Sequence, residues 1–216
     1  PAVDPFQSMA GVFALRERLF DFGPVLAAVT SPDPTDGATA NEVGVTASFK
    51  IANPVKVPCV VNFAVEPTGN ASSETLPLRV EPARLQIPPH ENRYVTVTFA
   101  PHRIESSSAR FIAQVENGGD PETARLSFDL RGEGVLPNLT LVAPRERDAH
   151  GRALLKFPRH LLGRAAASAP ITLRNDGALL AYARVNVPVH QAFRLASRDM
   201  AGSVQLAPGE SRTIMV

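Results

Sequence analysis

Short runs in which apolar and polar residues alternate recur along the chain. The clearest are residues 45–51, 59–65, 94–99, 110–115 and 124–130. A period of two over five to seven residues predicts β-strands that bury one face. The stretches between them are rich in Pro, Gly, Asn and Asp, which favour turns. These breaks include residues 31–41, 66–77 and 116–122.

Several short strands at this spacing, with no convincing long helix, predict an all-β antiparallel sandwich. One exception is Ser8 to Phe20, where the pattern predicts a helical turn or two near the N-terminus. We expect the hydrophobic core to be built from apolar positions of the predicted strands. These are Phe22, Phe49, Ile51, Val60, Phe63, Val95, Val97, Phe99, Phe111, Leu126 and Phe128.

The chain also contains an internal repeat. The stretch "VTASFKIANPVKVPCVVNF" at 45–63 is similar to "APITLRNDGALLAYARV" at 169–185. The residues around "IPPHENRYVTV" match those around "LAPGESRTIMV", and "LFDFGPVL" matches "LLKFPRHLL". Self-similarity at a fixed period is typical of arrays in which one structural unit recurs. The sequence therefore predicts two copies of one β-unit.

The two predicted domains are residues 1–134 and 135–216. The second copy lacks counterparts of residues 110–115 and 124–130, so we expect it to be truncated at its C-terminus and the chain to be a fragment of something longer. The joint "GEGVLPNLTL" leaves almost no linker. A short joint predicts that the two units stack end to end.

Composition supports β-structure in a reducing compartment. Twenty prolines are difficult to accommodate in a helical protein, because an interior proline removes a backbone hydrogen bond. The single cysteine, Cys59, excludes an internal disulfide framework. No run of 18 apolar residues and no signal-peptide pattern is present, so we expect no membrane span and no signal peptide.

No residues at the spacing of a catalytic, metal or cofactor site were found in the sequence. None of the five histidines pairs with another at the spacing of metal ligands, and Cys59 has no Cys or His neighbour at such spacing. His90 and Glu91 are adjacent, as in a general-base pair, but the second copy has Gly209 and Glu210 at the matching positions. We therefore interpret "IPPHE" as a turn that precedes a core strand.

Charge is distributed unevenly between the two copies. Residues 1–134 carry 11 Lys and Arg against 16 Asp and Glu, a net −5, whereas residues 135–216 carry 11 against 5, a net +6. Basic residues are concentrated near the start of the second copy, where they predict a surface that binds acidic partners. They are Arg145, Arg147, Arg152, Lys156, Arg159 and Arg164. The other interpretation is a solvated Arg-rich loop.

The landmarks of the repeat occur in a fixed order: "LFDFGPV", a strand that ends at Asn53, the turn "IPPHE", and a closing "LRGEG" that leads into "VLPNLTL". In this order they resemble the immunoglobulin-like ASH domains, relatives of the major sperm protein fold. Within that group the chain is most similar to the tandem arrays of hydin-like ciliary proteins. The resemblance implies tandem seven-stranded Ig-like sandwiches without enzymatic activity.

The resemblance also implies a function. Hydin-like proteins are scaffolds of the central-pair apparatus in motile axonemes, so the implied location is the cytoskeleton of the cilium. The implied partners are other central-apparatus proteins, with tubulin as a further candidate, and we expect no cofactor, small-molecule substrate, nucleic acid or membrane partner. The alternative is a secreted or cell-surface Ig-like adhesion repeat. Glycans on Asn70 or Asn138, which match the N-glycosylation sequon, would favour that alternative.

Overall fold

The chain folds as two compact units, Pro1–Val135 and Leu136–Val216. The computed structural model describes residues 11–14, 16–28, 44–68, 76–118, 124–159, 167–186, 194–195 and 203–216. None of these residues lies in a helix, and the described part of the chain accordingly has no helix able to cross a membrane.

Unit 1 is a sandwich of two β-sheets. Its strands are β1 (Val12–Ala14), β2 (Leu19–Leu26), β3 (Val45–Ala52), β4 (Cys59–Pro67), β5 (Leu78–Glu81), β6 (Arg84–Ile87), β7 (Asn92–Phe99), β8 (Ser106–Val115) and β9 (Arg125–Val135). One sheet has the order β1-β2-β9-β8-β4-β6 and the other the order β3-β7-β5. Neighbouring strands are antiparallel except β2 and β9, which are parallel.

The Ig-like β-sandwich implied by the resemblance is confirmed, and the described residues of unit 1 form nine strand segments where seven were expected. One difference is that a single stretch of chain contributes to both sheets. Strand β5 pairs with β7, and after Pro82 and Ala83 the chain continues as β6, which pairs with β4. The other difference is the short strand β1.

The predicted helical turn between Ser8 and Phe20 is wrong for its described residues. Val12–Ala14 form β1, which folds back on β2 so that Phe13 pairs with Phe20. The Glu17 N–H donates to the Ala14 carbonyl oxygen (3.2 Å) and closes the turn between the two strands. Pairing with β2 satisfies backbone groups that a short helix would leave at its ends.

Phenylalanine side chains fill the space between the two sheets of unit 1. Phe111 stacks on Phe128 with ring centroids 4.7 Å apart, and Phe49 lies between Phe20 and Phe128 at 5.0 Å from each. Offset and edge-to-face ring contacts of this kind add to the free energy gained by burial. Seven of the eleven predicted core residues are buried: Phe22, Phe63, Val95, Val97, Phe99, Phe111 and Phe128.

The remaining core predictions have mixed outcomes. Phe49 and Ile51 pack against the core but remain partly exposed. Val60 was wrongly placed in the core, because Val61 and Phe63 share the inward face of β4 and Val60 faces the other way. The prediction that Leu126 lies in the core was also wrong. Leu126 is the second residue of β9, near the end of the sheet, and is 52% exposed.

The described residues of unit 2 form two small sheets. Its strands are β10 (Leu139–Ala143), β11 (Pro170–Asn175), β12 (Ala181–Arg184), β13 (Ser203–Leu206) and β14 (Ser211–Met215). The sheet orders are β10-β11-β14 and β12-β13. The core contains Ala183, Val204, Leu206 and Ile214.

Residues 154–159 of unit 2 match β2 in sequence but do not form a strand. In unit 1, β2 is hydrogen-bonded to β9. The described residues of unit 2 contain no counterpart of β9. Within the described part of unit 2, residues 154–159 therefore have no strand of that kind to pair with.

Candidate binding surfaces

A buried asparagine organises one end of unit 1. Asn53 follows β3, and its side-chain Nδ2 donates to the carbonyl oxygens of Val57 (2.8 Å), Ile87 (3.1 Å) and Pro88 (3.2 Å). Its Oδ1 accepts from the Val55 N–H (3.2 Å). Buried carbonyl groups need such partners, because leaving one unsatisfied is costly. Asn53 therefore fixes the loop after β3 against the end of β6.

His90 and Glu91 lie in the turn that follows. The Glu91 N–H donates to the Pro88 carbonyl oxygen (3.3 Å), and His90 has φ = 57°. Proline at the second position and a left-handed third residue are typical of a type II turn. The Glu91 carboxylate pairs with Arg93 at 2.7 Å. The structure thus places these residues in a turn, as the repeat indicated, and the arrangement is not that of a general-base pair.

Three of the four side-chain hydrogen bonds of Asn53 have counterparts in unit 2. Asn175 Nδ2 donates to the carbonyl oxygens of Leu179 (2.7 Å) and Leu206 (2.9 Å), and Oδ1 accepts from the Gly177 N–H (2.9 Å). Gly209, at the position of His90, has φ = 77°. The two sequence copies therefore share one scaffold of backbone contacts around a buried asparagine.

The described residues contain no group of three or more His, Cys, Asp or Glu placed to hold a metal ion. Cys59 is half-buried and packs against the core of unit 1. Of the two sequons, Asn70 lies outside the described residues. Asn138 is exposed, and its carbonyl oxygen accepts from the Asp176 N–H (2.9 Å).

The predicted basic surface begins as a hairpin. We call residues 144–159 the basic segment. The Leu154 N–H donates to the Glu146 carbonyl oxygen and the Asp148 N–H to the Arg152 carbonyl oxygen, both at 2.9 Å. Gly151, with φ = 79°, supplies the left-handed residue of the turn. These contacts hold the chain in two short adjacent stretches.

Asp148 closes this hairpin. Its Oδ1 accepts from the backbone N–H groups of His150 and Arg152, both at 2.9 Å, and its Oδ2 accepts from Arg152 Nε at 2.8 Å. The hydrogen bond from the Arg152 N–H, together with those from the Arg152 guanidinium and the His150 N–H, holds the pKa of Asp148 below its usual range. The ionised Asp148 carboxylate therefore stabilises the hairpin, a role that we did not predict from the sequence. The sequence does contain a signal for this turn, because Asp148 stands three residues before Gly151, and Asp and Gly are favoured at the first and fourth positions of a β-turn.

Two of the six predicted binding residues are neutralised within the basic segment. Arg152 pairs with Asp148 at 2.8 Å, and Lys156 pairs with Glu146. Three others, Arg145, Arg147 and Arg159, are exposed and have no carboxylate partner among the described residues.

One of these three is held by the backbone. Arg147 donates from Nη1 to the carbonyl oxygen of Pro144 at 2.8 Å, which orients its guanidinium without neutralising it. The sixth predicted residue, Arg164, lies outside the described residues. In the basic segment, the predicted binding residues without a carboxylate partner among the described residues are thus Arg145, Arg147 and Arg159.

The outer face of the large sheet in unit 1 is different, because six of its charged side chains form ion pairs. Three ion pairs cross neighbouring strands or the adjoining turn: Arg84–Glu116 (2.9 Å), Arg110–Asp129 (2.9 Å) and Arg131–Asp21 (3.0 Å). Exposed pairs of this kind contribute little free energy each. Their main effect is to leave this face without a concentrated field of one sign.

No protein-family model matches the chain. The chain is 35% identical over 146 residues to the hydrocephalus-inducing protein of Mus musculus and 35% identical over 147 residues to its homologue in Homo sapiens. Each match covers 65% of this chain and 3% of the relative, so the chain spans a small part of the proteins it resembles. The resemblance to hydin-like proteins is confirmed.

The solved structures that match this chain include an ASH/PapD-like domain and an MSP-domain protein. The ASH/PapD-like domain 7 of human CEP192 is 13% identical, with a TM-score of 0.41, over 62% of this chain and 94% of that domain. The MSP-domain protein SSP-19 of Caenorhabditis elegans is 13% identical, with a TM-score of 0.29, over 43% of this chain and 88% of that chain.

Proposed function

We propose that this chain is a non-enzymatic scaffold module of the motile-cilium axoneme, positioned in the central-pair apparatus. The observation that carries the proposal is the 35% identity to hydrocephalus-inducing protein over 65% of the chain. The repeated turn scaffold supports it, because recurring rigid units suit a protein that holds neighbours at fixed positions. Domains 1–134 and 135–216 would act as successive modules of such an array.

We assign partner docking to the basic segment. Arg145, Arg147 and Arg159 present guanidinium groups that recognise carboxylates through charge-assisted hydrogen bonds. The proposed partners are acidic surfaces of central-apparatus proteins or of tubulin.

Localisation tests the scaffold proposal. A fluorescently tagged 216-residue chain, expressed in multiciliated cells, is expected to accumulate along the axoneme and to label near the central pair by immuno-electron microscopy. A tagged Asn53→Ala chain, in which the turn of unit 1 is disrupted, serves as the control. If accumulation along the axoneme depends on folded unit 1, this variant should accumulate less. Accumulation only at the cell surface or in the secretory pathway would refute the proposal and favour an adhesion repeat.

Co-sedimentation with microtubules tests the basic segment separately. Replacing Arg145, Arg147 and Arg159 together with Glu should weaken binding about tenfold, taking each exposed charge contact as worth about 0.5 kcal/mol. The effect should shrink as salt rises, because exposed charges are screened.

A matched control makes the same change of charge elsewhere. Arg103, Arg125 and Arg184 are exposed, and replacing them with Glu should leave sedimentation nearly unchanged. Equal effects of the two triple variants would show that net charge alone matters. If axonemal localisation persists while neither variant alters binding, the scaffold role stands and the docking role of the basic segment does not.

A further inference from the structure

The turn that follows β8 contains the only Asn-Gly pair of the chain, Asn117–Gly118. Asn117 has φ = 56°, a left-handed conformation in which asparagine is several-fold enriched among the residues other than glycine. The Gly118 N–H donates to the Val115 carbonyl oxygen and closes the turn. The geometry of the turn therefore accounts for the asparagine at this position.

The glycine that follows has a separate structural reason. A Cβ atom at position 118 would collide with the Cβ atom of Ala124, a buried residue next to the start of β9. Glycine is the residue that allows such a close approach. The fold thus places a side-chain amide directly before a residue that has no side chain.

An Asn-Gly pair can react with itself. The Gly118 nitrogen attacks Asn117 Cγ, and the absence of a Cβ atom on glycine leaves this approach open. The new N–Cγ bond forms and the bond from Cγ to the side-chain nitrogen breaks. That nitrogen leaves as ammonia and takes up the proton lost from the Gly118 N–H. Water then opens the resulting cyclic imide at either carbonyl and gives aspartate or isoaspartate, so that one water is consumed for each ammonia released.

The reacting groups are accessible in the folded chain. Asn117 and Gly118 are both exposed, and the Asn117 side chain has no hydrogen bond to another described residue. The bond from the Gly118 N–H to the Val115 carbonyl oxygen is 3.4 Å long, beyond the usual range for such bonds. The attacking nitrogen is therefore held only weakly.

A related pair in unit 2 is protected on both sides of the reacting bond. Asp176–Gly177 could close the same imide by losing water, but the Gly177 N–H donates to Asn175 Oδ1 at 2.9 Å. Hydrogen bonds from Arg174 and Thr140 lower the pKa of Asp176, and an ionised carboxylate is a poor leaving group. Among the described residues, Asn117–Gly118 has neither form of protection.

We propose that Asn117 is a site of spontaneous deamidation, at which unit 1 acquires aspartate or isoaspartate as the protein ages. Isoaspartate carries the main chain through its side-chain carbonyl carbon and so adds a methylene group to the backbone of the turn. The change lies close to the bond from the Val115 N–H to the Ala124 carbonyl oxygen (2.8 Å), at the base of the same turn. The site does not depend on the proposed ciliary role.

The modified turn would have a specific chemical partner. Enzymes that methylate isoaspartyl carboxyl groups transfer a methyl group from S-adenosylmethionine to the carboxylate and release S-adenosylhomocysteine. An exposed isoaspartate at position 117 would be a substrate for this class of enzyme.

Peptide mapping of the 216-residue chain tests the proposal. The folded chain is incubated at physiological temperature and mildly alkaline pH, which favours loss of the Gly118 proton, and the tryptic peptide 111–125 is followed by mass spectrometry. Asn117 should convert in this peptide, whereas Asn92 and Asn138, which are exposed but not followed by glycine, should not. Conversion should be at most about tenfold slower than in the chain unfolded in guanidinium chloride, the factor expected from one hydrogen bond of typical net strength.

A matched variant assigns the product to this pair. Asn117→Gly keeps a residue that accepts the left-handed backbone but removes the amide, so its peptide 111–125 should not change with time. When the aged chains are incubated with an isoaspartyl methyltransferase and labelled S-adenosylmethionine, this peptide should be labelled in the unmodified sequence and not in the variant.

Two results would overturn the proposal. If Asn117 converts in the unfolded chain but reacts no faster than Asn92 and Asn138 in the folded chain, the turn protects the pair. If the aged peptide shows deamidation but takes up no methyl label, isoaspartate is not formed at this site.

Discussion

Replacing Asn53 with Ala should destabilise unit 1 severely, because the amide satisfies carbonyl groups from two separate segments. The bond to Ile87 is buried, and a buried carbonyl left without a donor costs about 1–3 kcal/mol. The partly buried bonds to Val57 and Val55 add about 0.5–1.5 kcal/mol together. We therefore expect a loss of about 2–4 kcal/mol from a total stability of about 5–15 kcal/mol.

The chain allows the two units to be followed separately. It has no Trp and two Tyr, of which Tyr94 lies in unit 1 and Tyr182 in unit 2. With Tyr182 replaced by Phe, tyrosine fluorescence during urea denaturation reports on unit 1. A loss of 3 kcal/mol should lower the midpoint by about 1–2 M urea, given typical slopes for domains of this size. In a chain with Tyr94 replaced by Phe, the fluorescence of Tyr182 reports on unit 2 instead. Adding Asn175→Ala to that chain should lower the urea midpoint of unit 2.

Two further variants distinguish the hydrogen bonds from a general effect of substitution. Asn92 is exposed on β7, so Asn92→Ala should change stability by less than about 0.5 kcal/mol. Asn53→Asp is nearly isosteric but cannot donate when ionised, so it should cost at least as much as Asn53→Ala. If Asn53→Ala costs no more than Asn92→Ala, or if Asn53→Asp is tolerated, the assigned role of the amide is wrong.

Three other predictions follow from local geometry. Gly209→Ala should lower the free energy of unfolding of unit 2 by about 1 kcal/mol in urea denaturation, because a left-handed backbone disfavours a Cβ atom. His90→Gly should not destabilise unit 1, since it removes a Cβ atom from the same backbone conformation. Equal losses of stability from the two variants would contradict this reasoning. Phe111→Ala should cost about 3–5 kcal/mol and Leu126→Ala less than about 1 kcal/mol in the same assay, a difference set by burial. The lowered pKa of Asp148 means that its stabilising contribution is present above its unfolded pKa and is lost as pH falls through its lower folded-state pKa. The protection factors of the two N–H groups bonded to its carboxylate, which are corrected for the intrinsic pH dependence of amide exchange, should fall over that range, and Asp148→Asn should remove this pH dependence.

The sequence was sufficient to predict the fold class and most of the core. Strands that alternate apolar and polar residues, with phenylalanines on the apolar face, bury that face between two sheets. The sequence was not sufficient where neighbouring positions are both apolar. Val60 and Val61 are both apolar, so hydrophobicity alone does not choose between them; period two counted from Phe63 selects Val61, which is the valine that the structure buries. Leu126 has the right parity but lies near the end of its strand, which alternation does not reveal.

The basic segment illustrates a different limit. The excess of arginine is evident from composition, but which charges remain available depends on the hairpin. Asp148 and Glu146 are neutralised by Arg152 and Lys156, so substituting Arg152 would disturb the fold as well as the charge. Such pairings depend on turn geometry at single residues, and a count of charges does not contain that information.

The parallel pairing of β2 with β9 determines how unit 1 responds to mechanical tension along the chain. Force on the N-terminal side first peels β1 from β2, because these strands are antiparallel and their three residue pairs separate one after another. The load then reaches β2 and β9, which are pulled toward opposite ends of the sheet. Their hydrogen bonds are loaded together in shear, so they must break almost simultaneously. Unit 1 would thus extend slightly at β1 before resisting further stretch.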